Sequence, residues 1–244
     1  MGLQAKSTVF AQDFRSISST KEHTLGVLGE TIDGRKYRYS LAGGATLAPG
    51  KVAVNADLVA LHTNIAVGAA AAIGAKTVTV TLGATAMTES QYQDGYLTVN
   101  DATGEGINYL INNNPAADAS ASAVISLAEP VAVALVAATS EVTLKVNTYS
   151  GIVISAADQV DQAVGVPNVS ITNAYYGWVQ THGECPVLAD EAVSKGTQLE
   201  IGSSVPGAVE AVDEAAAVAT TGVVGIASEA LVDTEYRSVF LTLD

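Results

Sequence analysis

Aromatic side chains make up only 5% of this 244-residue chain, with a single tryptophan among them. A core therefore has to be assembled from Ala, Val, Leu and Ile, which suits many short strands with small side chains between them. Charge is sparse at 15% and mostly acidic, giving a net −14. A surface this negative is repelled by nucleic acid and by anionic membranes, so neither is expected as a partner. One cysteine, Cys185, excludes an intramolecular disulfide. Long apolar runs are missing as well. The longest, 65–75, has eleven residues and is mostly Ala and Gly, whereas a membrane span needs roughly 20. The opening Met1-Gly2-Leu3-Gln4-Ala5-Lys6 leads into polar sequence and reads as carrying no secretion signal. The chain is expected to be soluble.

What is present is period-2 alternation. Thr77, Thr79 and Thr81 alternate with Val78, Val80 and Leu82, and Val142, Leu144 and Val146 alternate with Glu141, Thr143, Lys145 and Asn147. Successive strand residues point to opposite faces, so this pattern marks half-buried antiparallel strands. Residues 96–99, 107–111, 123–127, 151–154, 169–172, 175–181, 198–201 and 239–243 read similarly, while 35–40 reads as a strand with two polar or amphipathic faces, suited to an edge or a contact surface. Turn signals separate them, among them Asp33-Gly34, Pro49-Gly50, Asp94-Gly95 and Asn112-Asn113-Asn114-Pro115. Helix is confined to a turn or two at 68–75 and 156–163, and no repeat of fixed period is found. The fold expected is mainly β: antiparallel β-barrel or sandwich units with an extended N-terminal arm and little helix.

The arm is 1–25, polar and without helical or strand periodicity, and expected to be ordered only by a partner. Residues 26–62 plus 151–244 are expected to form a small β-barrel domain, with 63–150 an additional or inserted β domain. Charge is divided unevenly. Residues 1–51 hold seven basic and four acidic side chains, a net +3, and the remainder holds four basic and twenty-one acidic, a net −17. That asymmetry suggests two differently facing surfaces.

Chemistry is hard to find. His182-Gly183-Glu184-Cys185 places an imidazole near a thiol, but four consecutive extended residues do not form a nucleophile–base pair, and a turn bearing a buried thiol is the better reading. Three histidines and one cysteine, widely separated, do not make a zinc site. The stretch Asn100-Asp101-Ala102-Thr103-Gly104-Glu105-Gly106 lacks the acid spacing of a calcium loop and reads as a turn. Tyr176 and Trp178, sharing a face, read as core rather than a sugar platform. No enzymatic activity, cofactor or metal is expected.

Three phrases carry a resemblance. Asp33-Gly34-Arg35-Lys36-Tyr37-Arg38-Tyr39, with Ala42-Gly43-Gly44 and Leu47-Ala48-Pro49-Gly50-Lys51-Val52 after it, is the first. Tyr175-Tyr176-Gly177-Trp178-Val179-Gln180-Thr181-His182-Gly183 is the second. The third is Gly222-Val223-Val224-Gly225-Ile226-Ala227 followed by Tyr236-Arg237-Ser238-Val239-Phe240-Leu241. Together these resemble the capsid decoration, or cement, proteins of tailed bacteriophages. The resemblance implies a structural virion protein that binds the outer surface of the head and stabilises it, with the major capsid protein as partner and a homo-oligomer, by preference a trimer, as the assembled form. Lys6, Phe10, Phe14, Arg15, Lys21, Arg35, Lys36 and Arg38 are the candidate capsid contacts, basic groups and rings of the N-terminal region that would meet acidic shell surface. Other readings are a tail or head-fibre component, a carbohydrate-binding adhesin module, and an acid hydrolase.

Overall fold

The computed structural model describes residues 9–10, 13–157, 161–212 and 222–244. In chain order the strands are β1 (Val9–Phe10), β2 (Leu28–Glu30), β3 (Lys36–Ala42), β4 (Ala53–Val54), β5 (Ile65–Ala69), β6 (Thr77–Thr81), β7 (Tyr96–Asp101), β8 (Asn108–Asn113) and β9 (Ser122–Leu127). They continue with β10 (Glu141–Lys145), β11 (Ser150–Ile154), β12 (Ala163–Pro167), β13 (Tyr176–Leu188), β14 (Gln198–Ile201), β15 (Val209–Ala211), β16 (Gly225–Ala227) and β17 (Tyr236–Thr242). Among the described residues the one helical element is a 3₁₀ turn, Ala60–His62. The protein is mainly β, built from barrel-like units.

The chain divides into two compact units, one made of 1–56 with 148–244 and the other of 57–147. The second unit is a closed barrel in the order β10-β5-β6-β9-β8-β7. Its alternating strands send Val78, Val80, Leu97, Val99, Ile125, Val142 and Leu144 into the core, while Thr, Asn and Ser take the outside. Polar side chains are buried in this unit too, among them Asn114, Ser140 and His62. His62 is fully buried, its Nε2–H donating to the Thr85 carbonyl at 2.9 Å and its Nδ1 accepting from the Tyr92 hydroxyl. Both ring nitrogens are thus satisfied, as a buried imidazole requires.

In the first unit β3 pairs with β13 as well as with β11, closing β3-β11-β4-β12-β13 into a ring. The thirteen-residue β13 then continues, pairing with β17, which leads through β16 and β14 to β15. A bridge from Ala189 to Val209 brings β15 back beside the end of β13. One core fills the ring with Leu47, Ala53, Ile152, Ile171 and Val179. A second collects Cys185, Val187, Leu199, Val209, Val239 and Leu241 beyond it.

The strands are tied by a recurring turn. Eight apolar residues that pair two by two through their backbones are each followed, at the third successor, by a residue with positive φ, after which the chain turns into the next strand: Leu47/Gly50, Ala71/Gly74, Met87/Ser90, Ala117/Ser120, Leu135/Ala138, Ile171/Ala174, Val193/Gly196 and Leu231/Thr234. The apolar residues pair reciprocally through their backbones. Leu47 and Ile171 exchange hydrogen bonds of 2.9 and 3.0 Å, Ala71 and Leu135 of 3.0 and 2.8 Å, Met87 and Ala117 of 2.8 and 2.9 Å, and Val193 and Leu231 of 3.3 and 2.8 Å. Two pairs lie in each unit.

This turn corrects two expectations. Residues 169–172 form no strand, because Ile171 is the bridging residue of such a turn. The Ala-rich 68–75 forms no helix, because 68–69 end β5 and Ala71 bridges to Leu135. Likewise 156–163 shows no helix among its described residues, and Ala163 opens β12.

Five of the eight positive-φ positions are not glycine, and Thr234, at φ 62°, is β-branched, which makes its conformation costly. Thr234→Gly is expected to raise the unfolding midpoint in denaturant, by about 1 kcal/mol. Gly50→Ala is expected to lose about 2 kcal/mol or more, from a forced clash and positive φ. A Cβ there would sit 2.6 Å from the Tyr236 ring.

Candidate functional site

A shaped piece of surface in the first unit is made by an irregularity in β13. Gln180 is fully buried. Its Nε2 donates to the carbonyls of His182 and Glu184, both at 3.0 Å, while its Oε1 accepts from Asn168 Nδ2 at 2.9 Å and from the Tyr37 hydroxyl at 3.3 Å. One amide thereby holds two carbonyls of its own strand where the β3 register slips, between Gln180 and His182. Gly183, at φ 86°, takes the conformation that the arch requires, and a Cβ on it would meet Arg35 Cγ at 3.0 Å.

Because of that arch, His182 and Glu184 face outward with the β2–β3 turn on one side and β17 on the other. The result is a groove of about 600 Å³ walled by Asp33, Arg35, His182, Glu184 and Phe240. The His182 and Phe240 rings meet edge to face at 5.1 Å. Asp33 accepts from Arg35 Nε at 2.8 Å and from the Thr31 hydroxyl at 2.5 Å, and with Thr31 contributing most these bonds hold its carboxyl below the usual range. Glu184 accepts the hydroxyls of Ser228 at 2.8 Å and Ser238 at 2.5 Å.

Beside the groove lies an aromatic cluster: Leu25, Tyr37, Tyr39 and Trp178, with Phe14, Val27, Leu41 and Tyr176 packed against it. Phe14 stacks on Tyr37 at 4.7 Å and 25°. Burial pushes the Tyr37 hydroxyl up to about 12. His23 stands 5.1 Å from Tyr39 and 5.5 Å from Trp178. The Tyr39 hydroxyl accepts the Glu22 backbone N–H, and Ser18 bridges Tyr176. Residues 13–25, expected to find their order only in a partner, therefore find it in their own chain. Their few apolar groups are too scattered to make a periodic stripe, yet Phe14 and Leu25 pack against the rings anchored in β3 and β13.

The candidate contacts are distributed as follows. Lys6 lies outside the described residues, and of Phe10 only the backbone is described, in β1, beside Glu30. Phe14, Arg15 and Arg35 come together, with the two guanidiniums 5.1 and 5.4 Å from the Phe14 centroid. Lys21 is half-buried on the same segment. Lys36 stands in register between Glu30 and His182. Arg38 is separate. Its Nε and Nη2 donate to the two carboxylate oxygens of Asp244 at 2.7 and 2.8 Å, and its Nη1 to the Gly26 carbonyl at 2.8 Å. Of the groove's lining the sequence singled out Arg35 as a contact, weighed His182 and Glu184 only within the 182–185 stretch and read that as a turn, and did not single out Phe240. Nothing in the spacing signals the groove, since Glu184 and Phe240 become neighbours only through the β13–β17 pairing.

His182 and Cys185 sit three positions apart on one strand and so face opposite ways. The thiol is buried in the core beyond the ring, and burial pushes it up to about 12, so it stays protonated. A strand, not the expected turn, carries it. Around 100–106, Asp101 Oδ1 accepts the Ala102 N–H, with positive φ at Ala102, Gly104 and Gly106. Among the described residues no group of three or more His, Cys, Asp or Glu side chains could hold a metal ion, and no helix is long and apolar enough to cross a membrane. No known protein family, curated protein or solved structure matches the chain.

Two outcomes are expected from this geometry. Burial disfavours the Asp244 carboxylate, but the Arg38 and Thr181 hydrogen bonds outweigh it, and its pKa is lowered. A lowered carboxylate stabilises above its unfolded value and stops doing so as pH falls through the folded value. Arg38→Ala is thus expected to cost about 1–2 kcal/mol at neutral pH, and the difference from the parent should shrink as pH falls below about 4 in denaturant titrations. Phe14→Ala is expected to cost about 1–2 kcal/mol and to alter the emission of Trp178, the single tryptophan.

Proposed function

We propose that this protein is a non-catalytic structural component that attaches to a larger assembly, as a decoration protein on the outer surface of a tailed-phage head. The observation that carries the reading is where the three resembling phrases fall. The first includes β3, the second opens β13, and the third forms β16 and β17. These four strands are consecutive hydrogen-bonded neighbours, β3 to β13, β13 to β17 and β17 to β16. Phrases separated by more than a hundred residues thus make one contiguous surface, the one that also bears the arched β13 and its groove.

A surface of this kind suits attachment. Its aromatic cluster is held by the chain's own 13–25 segment, and exposed Phe240 and Tyr236 stand side by side with it on the sheet. On this reading the partner is the major capsid protein, the assembled form is a homo-oligomer with a trimer favoured, and Phe14, Arg15 and Arg35 lie at the rim of the contact.

Purified protein mixed with emptied heads lacking it should sediment with them at a fixed copy number per shell, and Arg35→Glu should weaken that binding without changing the unfolding midpoint. Failure of the parent protein to bind any such shell, with the fold intact, would overturn the reading.

A further inference from the structure

On the outward face of β17, Tyr236 and Phe240 are 51% and 38% exposed. They stand four positions apart along the strand, about 13 Å. Both are held firmly. Tyr236 lies over Gly50, and Phe240 packs edge to face on His182. Glu184 stands directly across from Phe240, and Pro186 across from Ser238. The groove walled by Phe240 adjoins a second, of about 390 Å³, whose lining includes Pro186, Tyr236, Arg237 and Glu229. Glu184 lines both.

The charges of this surface do not balance. Arg35 is paired with Asp33, and Arg237 with Glu235 at 2.6 Å and Glu229 at 4.0 Å. Among the described residues, Glu184 receives the hydroxyls of Ser228 and Ser238 and no cation within ion-pair distance. Hydroxyl donors orient a carboxylate without neutralising it, so a fixed anion stands between two exposed rings on a chain of net charge −14. The lining is also under-satisfied. His182 Nδ1 and Arg237 Nε are buried without a hydrogen-bond partner, and docking of a segment rich in amide donors and acceptors would let these side chains turn toward it.

We infer that Glu184, flanked by Phe240 and Tyr236, receives a lysine or arginine side chain from an extended segment of a partner protein. The cation meets the carboxylate and the ring faces together, an arrangement that adds cation–π attraction to the ion pair. Apolar residues on either side of it cover the two rings. The inference concerns the chemistry of the partner and does not require that the partner be a phage shell, so either reading can fail while the other stands.

The test is a chemical-shift titration of the full-length protein with two probes, N-acetyl-Leu-Lys-Leu-amide and N-acetyl-Leu-Glu-Leu-amide. The lysine peptide should give saturable shifts at His182, Ser238 and Phe240, and the glutamate peptide none. Glu184→Gln keeps an acceptor for one serine and offers its amide N–H to the hydroxyl oxygen of the other, and should weaken the lysine peptide about fivefold to tenfold. Phe240→Ala should weaken it as well, with the unfolding midpoints of both variants checked against the parent. Equal shifts with the two peptides, undiminished binding to Glu184→Gln, or no saturable shift up to about 10 mM peptide would overturn it.

Discussion

The reciprocal backbone pair at each turn is the constraint on which the architecture depends. Many strands here are short, several of only two or three residues. Ladders of that length leave many N–H and C=O groups at their ends, and a buried backbone group without a partner is costly. Pairing the residue before one turn with its counterpart before another settles two donors and two acceptors at once. It also buries Leu47 against Ile171 and Leu231 against Val193. The positive φ that follows reverses the chain so that the next strand starts in register. Small apolar side chains are what this arrangement tolerates, which accounts for a core so poor in rings.

The first unit gathers several of its rings in one place, while Tyr92 and Tyr109 are buried apart in the barrel. Phe14, Tyr37, Tyr39, Tyr176 and Trp178 share one cluster at the end of the first unit where β3 meets β13. The β3 alternation puts Tyr37 and Tyr39 inward, so Lys36 and Arg38 lie on the other face, and the arginine finds Asp244. Gln180 ties the two sides together. Its amide serves Tyr37 within and shapes His182 and Glu184 without, so the groove is a by-product of how a buried polar group was satisfied.

Much of the fold was legible. Alternation in 77–82 and 141–147 marked β6 and β10 because one face of each is buried in a barrel and the other is not. What escaped was non-local. The eight turns have no fixed spacing, and their signature, an apolar residue followed three positions later by positive φ, is spelled with glycine in only three cases; Ala138, Ala174 and Thr234 give no local hint of it. Residues 169–172 alternate like a strand yet pair through Ile171 alone. The groove was legible as a contact only at Arg35; His182 and Glu184 drew notice for their spacing to Cys185, and Phe240, more than fifty residues away, joins them only through strand pairing.

The second unit is a single continuous stretch, whereas the first is assembled from segments on both sides of it. During synthesis the barrel of 57–147 can close as soon as β10 is made. The first unit cannot complete its ring until β13 has followed, because β3 needs that strand beside it. A folded insert then shortens the effective distance between β4 and β11, which pair with each other across it. The entropy of closing a loop of about ninety residues is replaced by that of a compact body with two emerging ends. Order of emergence from the ribosome thus becomes part of how this topology is reached.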